Sequence, residues 1–320
     1  MSTDVVKWEA GVGYRTSASA LPLAFEKVMQ EHLLDDVEFN YTIGFDECDE
    51  TKGAAVVVDM IQNSKVDVIF GPTCNLPGKV AAVIATFYNI PIYLWGLTTS
   101  SDFKDFNRFP TLMSSPVDTY SIGLGLIAVM EEYDWTEYVF VYTLDGDPEK
   151  CNVMNSDLQT LASVNTHIRM SYFLQIQNAT TKNVELSLQV LKTKGRIIVI
   201  CVPDDGGYRR AFMLGAKDAG MLTNEYVFIF AETKSMGFTA RLVGGVKKPV
   251  WTATPGTISW NASRDEEAKE AFKKVFFLCD MMGLQEASRP QYVNFSKQVI
   301  AKMPQAPFYC TDCTNVTYSA

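Results

Sequence analysis

Short apolar runs alternate with amphipathic segments along almost the whole chain. The runs are rich in Val, Ile and Phe, as in "VDVIF", "IPIYLWG" and "RIIVICV". Between them, apolar residues recur at helical spacing, for example at Leu21, Phe25 and Val28. Continuous apolar strands separated by helices are typical of parallel sheets that are covered on both faces. The pattern therefore predicts an α/β fold with about nine strands.

The predicted elements follow one another in a regular order. The predicted strands are residues 7–13, 37–45, 66–71, 92–96, 138–144, 167–174, 196–202 and 226–231. The predicted helices are residues 17–34, 53–63, 79–88, 117–133, 157–163, 184–192, 208–219, 266–279 and 292–302. Right-handed crossovers between such strands produce a doubly wound sheet.

A Pro-rich stretch, 109–116, interrupts this rhythm and divides the chain into two lobes. The first lobe takes residues 1–116, the second takes 117–250, and residues 251–320 return to the first as helices. Ligands of such sheets bind beyond the carboxyl ends of the strands. Four polar or Gly/Pro-rich loops are therefore expected at a cleft between the lobes, at residues 71–75, 96–101, 143–147 and 203–207.

Four of the seven cysteines lie where adjacent strands end or where a helix begins. Cys48 and Cys74 follow two strands whose ends are neighbours in a parallel sheet, so the sequence predicts a Cys48–Cys74 disulfide. Cys151 begins a helix and Cys201 ends a nearby strand, which predicts a second disulfide in the same way. The remaining cysteines leave one odd thiol, which is free or is paired outside the chain; they are Cys279, Cys310 and Cys313.

Composition and charge narrow the function classes. The net charge is −9 and the basic residues are scattered, which argues against nucleic acid as a partner. The chain has no run of 18 apolar residues and no signal peptide at its start. It has five Asn-x-Ser/Thr sequons, which indicate a secreted surface, so we expect a piece of a longer extracellular protein. The candidate glycosylated residues are Asn40, Asn178, Asn261, Asn294 and Asn315.

Catalytic and metal motifs are weak. The chain has no G-x-S-x-G elbow, and its two histidines, His32 and His167, are expected to be structural or solvated. Cys310-x-x-Cys313 has no second pair or histidine motif beside it, so the sequence predicts neither a metal nor an enzymatic cofactor. An enzyme is the least favoured function class.

Several segments together resemble a known receptor family. "GFDEC" with "FGPTC", "IPIYLWG", "SSPVDTYSIG" and "YDWTEYVFVYT" resemble the receptor-family ligand-binding region, which has the periplasmic-binding-protein type I fold. "GYRTSASA" and "FYCTDCTN" look most like the receptor guanylate cyclases of nematodes. The resemblance implies two lobes, each a doubly wound, mostly parallel sheet flanked by helices, in a fold that is C-terminally incomplete here.

The resemblance also implies a function. It implies the extracellular sensing domain of a single-pass plasma-membrane receptor that binds a small molecule, ion or peptide, forms a homodimer through the first lobe and controls an intracellular guanylate cyclase. The cyclase domain is absent from this chain, so the chain itself is expected to be non-catalytic. The alternative is a solute-binding protein, or the ligand-binding region of another receptor class such as natriuretic-peptide or glutamate receptors.

Four residues carry over from relatives of known chemistry. Thr98 matches a hydroxyl that holds the α-amino group of an amino-acid ligand, and Asp118 matches the acid that faces it from the second lobe. The match is imperfect, because Gly96 replaces a ligand-binding serine and Pro148 replaces a stacking tyrosine; Asp118 is alternatively the N-cap of the next helix. The turn amides of Thr73 and Cys74 match those that hold a chloride in natriuretic-peptide receptors.

Overall fold

Two parallel β-sheets, each packed against helices, form the framework of the chain. The structure is a computed structural model, and it describes residues 12–146, 148–203, 207–233, 235, 237–241, 247–258, 262–280 and 290–315. Within these ranges, no helix is both long and apolar enough to cross a membrane.

The N-terminal part of the chain forms the smaller sheet. Its elements are α1 (Tyr14–Ser17), α2 (Ala20–Gln30), α3 (Glu50–Gln62), β1 (Ile69–Phe70), α4 (Asn75–Tyr88), β2 (Ile92–Leu94) and β3 (Leu112–Ser114), with a 3-10 turn at Ser101–Lys104.

The remaining part forms the larger sheet and the C-terminal helix. Its elements are α5 (Thr119–Glu132), β4 (Glu137–Thr143), α6 (Lys150–Val164), β5 (Arg169–Ile176), α7 (Thr181–Lys194), β6 (Ile197–Cys201), α8 (Tyr208–Asp218), β7 (Val227–Glu232), β8 (Thr239–Arg241), β9 (Lys247–Pro249), α9 (Asp265–Phe272), β10 (Val275–Cys279) and α10 (Pro290–Lys302).

The first sheet has three parallel strands in the order β1-β2-β3. Ile69, Ile92 and Leu112 are register partners in turn, and all three are buried against α3 and α4. The next residue of each strand points to the opposite face, because side chains alternate along a strand. Two of these residues, Phe70 and Met113, are exposed.

The second sheet has five parallel strands in the order β10-β7-β6-β4-β5. Along β4, Val139 and Val141 pack with α7 and α8, whereas Tyr138, Phe140 and Tyr142 pack with α5 and α6. Both faces are therefore buried, which explains why the strands read as continuous apolar runs. This arrangement confirms the predicted α/β fold with parallel sheets and flanking helices.

Two predicted elements differ from the structure. Residues 37–45 form no strand; instead Phe39 stacks on Phe25 of α2, with ring centroids 4.1 Å apart. A second predicted strand, at 7–13, lies almost wholly outside the described residues.

The helix predicted over Glu266–Cys279 is α9 followed by strand β10. The run "VFFLC" has β-branched and aromatic residues that favour a strand, and it pairs in parallel with β7. The second sheet thus includes a strand beyond residue 250, while the division of the chain into lobes stays a prediction.

The C-terminal segment packs on the N-terminal helices. Ser19 donates a hydrogen bond of 2.5 Å to the carbonyl of Val299 in α10, and Lys302 forms an ion pair with Glu26 of α2. Ala18 and Cys313 share a small buried cluster with Met303. These contacts connect the two ends of the described chain.

Candidate functional site

The "GPTC" turn at the carboxyl end of β1 is fixed by its neighbours. Gly71 has φ +111°, a conformation that favours glycine, and a cis bond joins it to Pro72. The carbonyl of Thr73 accepts a 2.7 Å hydrogen bond from the amide of Leu97, so the turn is tied to the loop after β2. A disulfide joins Cys74 to Cys48, with Cα atoms 5.4 Å apart, as predicted.

Thr98 lies in the loop after β2 and is buried. Its hydroxyl donates a 3.1 Å hydrogen bond to the carbonyl of Trp95. Close by, the amide of Ser100 donates to Oδ1 of Asn75, the first residue of α4, over 3.0 Å. These hydrogen bonds hold the loop in place, and the Thr98 hydroxyl already has an intramolecular acceptor.

Asp118 is the N-cap of α5. Its Oδ1 accepts a 2.7 Å hydrogen bond from the amide of Ser121, and its other oxygen pairs with Lys104. Burial opposes ionisation, but Lys104 and the Ser121 amide and hydroxyl outweigh it, so the pKa of the Asp118 carboxyl lies below its ordinary value. Among the described residues no hydrogen bond joins Asp118 to Thr98. The structure therefore shows the capping role, and the ligand role of this pair stays a prediction.

Asp157, a residue that the sequence reasoning missed, links the two predicted lobes. It lies on α6 and is 6% exposed. Its Oδ1 accepts a 2.5 Å hydrogen bond from the Ser101 hydroxyl, and its Oδ2 accepts one from Thr119 on α5. Burial raises the pKa of the Asp157 carboxyl; the two hydroxyls lower it, and the charges of Asp118 and Asp102 raise it further.

A signal for Asp157 was present in the sequence. Met154, Asp157, Leu158 and Leu161 lie at helical spacing, so an acid occupies the apolar face of α6. A carboxylate on a buried helix face needs hydrogen-bond partners, which marks the position as a candidate functional residue.

Three further contacts accompany Asp157. The amide of Leu76 donates to Oε2 of Glu149 over 3.2 Å, the amide of Thr119 donates to the carbonyl of Thr99 over 3.0 Å, and the ammonium of Lys104 donates to the hydroxyl of Ser121 over 3.2 Å. We call this set the cleft contact: Leu76, Thr99, Ser101 and Lys104 on one side, and Thr119, Ser121, Glu149 and Asp157 on the other.

A buried charge cluster occupies the carboxyl end of β7. Glu232 is 1% exposed and forms ion pairs with Lys150, at 2.5 Å, and with Arg209. Arg209 also donates to the carbonyl of Gly237 over 3.0 Å and to the hydroxyl of Ser235 over 3.1 Å. Burial lowers the pKa of Arg209 to about 9, opposed by nearby Cys279.

The remaining cysteines are accounted for. Cys151 and Cys201 form the second predicted disulfide, with Cα atoms 5.6 Å apart. Cys310 and Cys313 form a third, with Cα atoms 5.4 Å apart, so the odd thiol is Cys279. Burial and the neighbouring Asp280 raise the pKa of this thiol, which disfavours the reactive thiolate.

The predicted sequons and histidines are at the surface wherever the structure describes them. Asn40, Asn178 and Asn294 are exposed, as are His32 and His167. Asn261 and the side chain of Asn315 lie outside the described part of the chain. Glycosylation at these sites stays a prediction.

Gly96 stands where amino-acid-binding relatives have a ligand-binding serine, and the local structure explains this difference. It has φ +75°, and a Cβ atom there would lie 2.4 Å from Cγ1 of Val12 and 3.2 Å from the carbonyl oxygen of Thr73. A serine at this position would therefore be strained and would clash. Pro148, the second departure, is exposed.

Comparison with known proteins identifies the family. A family profile described as "Receptor family ligand binding region" matches residues 16–304. The chain belongs to this receptor family. As a ligand-binding region, it is 40% identical over 318 residues to receptor-type guanylate cyclase gcy-20 of Caenorhabditis elegans, and it is 39% identical to gcy-14 and 38% identical to gcy-7 of the same organism.

These matches cover most of the chain and a minority of each relative. They include 99%, 99% and 96% of this chain, but only 29%, 28% and 27% of gcy-20, gcy-14 and gcy-7. The resemblance inferred from the sequence segments is thereby confirmed, and the chain corresponds to the ligand-binding part of these receptors.

Proposed function

We propose that the chain is the extracellular ligand-sensing domain of a receptor guanylate cyclase and controls cGMP synthesis by an intracellular cyclase domain. The observation that carries the proposal is the match of nearly the whole chain to receptor-type guanylate cyclases, of which it covers less than a third. The cleft contact supports it, because these polar contacts join elements of the two predicted lobes.

The cleft contact gives a physical route from ligand to signal. A ligand that enters between the lobes replaces some of these hydrogen bonds with its own. It shifts the receptor only to the extent that it binds one lobe arrangement more tightly than the other. Of these hydrogen bonds, the one between Ser101 and Asp157 should cost the most to break, because it is short and its acceptor is buried.

A cross-linked chimera tests this function without knowledge of the ligand. Residues 16–304 replace the matching region of gcy-20, with Cys279→Ser, and Ser101→Cys and Asp157→Cys are added together. We expect the oxidised double variant to differ from its reduced form in basal cGMP synthesis. Each single cysteine variant is the control for the effect of the reductant on the native disulfides, and the double variant should respond beyond it. Surface-expressed, cross-linked chimeras with unchanged cGMP synthesis, oxidised or reduced, would contradict the proposal.

We infer a homodimer through the first lobe from an apolar stripe on α4. Leu76, Val83 and Phe87 are spaced at helical intervals and are 44%, 47% and 81% exposed. An exposed apolar stripe marks an interface, and a second copy is the commonest partner. Phe87→Glu should yield monomers in sedimentation velocity. Phe173→Glu, at an exposed phenylalanine of β5, is the matched control and should leave the assembly unchanged.

We infer an extracellular position at the plasma membrane from the cysteines and sequons. Three disulfides are typical of an oxidising compartment, and three of the five sequons are exposed. An antibody against the chain should label intact cells that express the parent receptor. Labelling that appears only after permeabilisation would refute this placement.

We propose chloride as the bound ion of the "GPTC" turn. The residues fit it in one respect: Oγ1 of Thr73 is fully buried and has no hydrogen-bond partner among the described residues. Its hydroxyl, with the amides of Thr73 and Cys74, would supply donors to an anion at the start of α4. Chloride should raise Tm relative to gluconate at equal ionic strength, and Thr73→Val should abolish the difference. An equal difference in both proteins would exclude this site.

We propose that an amine-bearing ligand competes with Lys104. The ammonium of Lys104 pairs with Asp118 at the position where a ligand's amine would bind. Removing this internal competitor by Lys104→Gln should strengthen the response to a cationic ligand, whereas Asp118→Asn should weaken it by about ten- to a hundredfold. Equal cGMP responses of both variants to a panel of amines would argue that Asp118 is only a cap.

A further inference from the structure

The carboxyl ends of β4 and β5 flank an open cavity of mixed polar and apolar lining that the proposed signalling mechanism does not use. Its volume is about 270 Å³, slightly below the ~300–1,000 Å³ of pockets that hold drug-sized ligands. A single sugar ring is small enough for a cavity of this size. The cavity is lined by Leu144, Asp145, Gln175, Ile176, Gln177 and Asn178.

One of the lining residues is the acceptor of a sequon. Asn178-Ala179-Thr180 forms the turn between β5 and α7, and Asn178 has φ +48°, which asparagine tolerates better than most residues. The turn is held in place: the amide of Ala179 donates to Oδ2 of Asp145 over 2.6 Å, and Nδ2 of Asn183 donates to the carbonyl of Asn178 over 2.8 Å. The Asn178 side chain is exposed and has no hydrogen bond to another described residue.

We propose that Asn178 carries an N-linked glycan whose first N-acetylglucosamine occupies this cavity. The proposal rests on the extracellular placement proposed above. The lining suits a sugar: the Asp145 carboxylate accepts hydrogen bonds, the amides of Gln175 and Gln177 donate and accept them, and Leu144 and Ile176 offer apolar surface to the ring. The glycan at this site then braces the two loops as well as covering the surface.

The covalent step uses a polyprenyl-pyrophosphate oligosaccharide as donor. A bond forms between Nδ2 of Asn178 and the anomeric carbon of the first N-acetylglucosamine. The bond from that carbon to the pyrophosphate oxygen breaks, the amide nitrogen gives up one proton, and the lipid pyrophosphate leaves.

Attachment is what makes so open a cavity useful. A free sugar would bind weakly, because its hydroxyls exchange hydrogen bonds with water for hydrogen bonds with protein. A tethered group meets its site at an effective concentration on the order of millimolar or higher, so millimolar intrinsic affinity suffices for occupancy. Because the sugar binds only the folded chain, it stabilises the fold by mass action.

Two other sequons provide matched comparisons. Asn40 and Asn294 are exposed as well, but they do not line this cavity. Asn294 lies in the middle of α10. Their glycans are expected to leave the thermal stability unchanged.

The experiment uses the full chain secreted from insect cells, with the other four sequons removed by Asn→Gln. Glycopeptide mapping establishes whether Asn178 is modified. One sample is then trimmed with an endoglycosidase that leaves the first N-acetylglucosamine, and another is treated with an amidase that removes the whole glycan and leaves aspartate. Asn178→Asp reproduces the amidase product. In a second pair of proteins, Asn40 or Asn294 is the remaining sequon.

We expect trimming to one sugar to leave Tm unchanged, and removal of that sugar to lower Tm by about 1 °C, because a tethered sugar whose effective concentration equals its dissociation constant doubles the statistical weight of the folded state. Gln177→Ala should lower Tm in the glycosylated protein and not in Asn178→Asp. Equal Tm for the single-sugar and sugar-free forms, or an equal effect of Gln177→Ala in both, would overturn the proposal. A glycan on Asn40 or Asn294 with none on Asn178 would overturn this proposal alone. An absence of glycans at all three tested sites would also contradict the extracellular placement.

Discussion

Ser101→Ala is the most direct test of the cleft contact. The substitution removes the hydroxyl that lies 2.5 Å from Oδ1 of Asp157 and leaves this buried carboxylate with Thr119 as its remaining side-chain donor. A hydrogen bond to a charged group contributes about 1.5–3 kcal/mol, and a bond that water can replace contributes less. We therefore expect a loss of about 1–3 kcal/mol from the arrangement in which the lobes touch, which is about a 5- to 150-fold shift in its population.

Two measurements report this loss. Tm should fall by about 2–4 °C for each kcal/mol, taking the scale of domains of 150–250 residues. Hydrogen exchange should accelerate at the amides of Thr99 and Thr119, which lie on the two sides of the contact. Ser156→Ala is the matched control, because Ser156 neighbours Asp157 on α6 but is exposed. If the two variants have equal Tm and equal exchange at Thr99 and Thr119, the contact does not hold the predicted lobes together.

Three further predictions follow from the charge cluster, the disulfides and the titrating acids. Arg209→Ala removes one partner of the buried Glu232 and should cost about 3–5 kcal/mol in urea unfolding, whereas Lys217→Ala, at an exposed pair, should cost less than about 1 kcal/mol. Replacing both cysteines of the Cys151–Cys201 disulfide with serine should lower the free energy of unfolding by about 4 kcal/mol, and the same change at Cys310–Cys313 by about 1.6 kcal/mol. The difference arises because the disulfides span 50 and 3 residues, and equal losses in urea unfolding would contradict this order. The pKa of Asp157 is raised in the folded state, so its contribution to stability is fully present below the ordinary pKa of 3.8 and is lost as pH rises through the folded-state pKa. Tm should therefore fall over this pH range in the unmodified protein, and Asp157→Asn should remove that fall.

The second sheet could be predicted from the sequence because both of its faces are buried. Runs such as "RIIVICV" have few interpretations other than a covered parallel strand, and β6 lies within the predicted range. Residues 37–45 were harder to predict, because their alternating apolar and polar residues match a strand. In the structure their aromatic side chains instead stack on α2. Strand β10 was missed because "FKKVFFLC" follows a helix without a Gly or Pro break.

Those parts of the site that depend on local geometry could be predicted from the sequence. The parts that depend on contacts between distant residues could not. Strand ends in a parallel sheet determine which cysteines meet, so both predicted disulfides are present. Asp118 is followed by the first turn of a helix, so its capping role could be anticipated. Asp157 and Ser101 are 56 residues apart, and no local pattern places the Ser101 hydroxyl, in the predicted first lobe, against the buried face of α6.

The strength of the cleft contact also limits how a ligand can control the proposed receptor. A ligand that separates the lobes must offset the hydrogen bonds it breaks, so its apparent affinity falls by the population factor of the contact. The bond between Ser101 and Asp157 alone, at about 1–3 kcal/mol, accounts for a factor of about 5 to 150 in affinity, and the other hydrogen bonds of the cleft contact add to it. By contrast, moving a two-state equilibrium between lobe arrangements from 1:99 to 99:1 requires about 5.5 kcal/mol. Complete switching of the cyclase therefore needs differential contacts beyond the bond between Ser101 and Asp157, and the ion pair of Lys104 with Asp118 is one further charged contact at the predicted cleft on which a ligand can act.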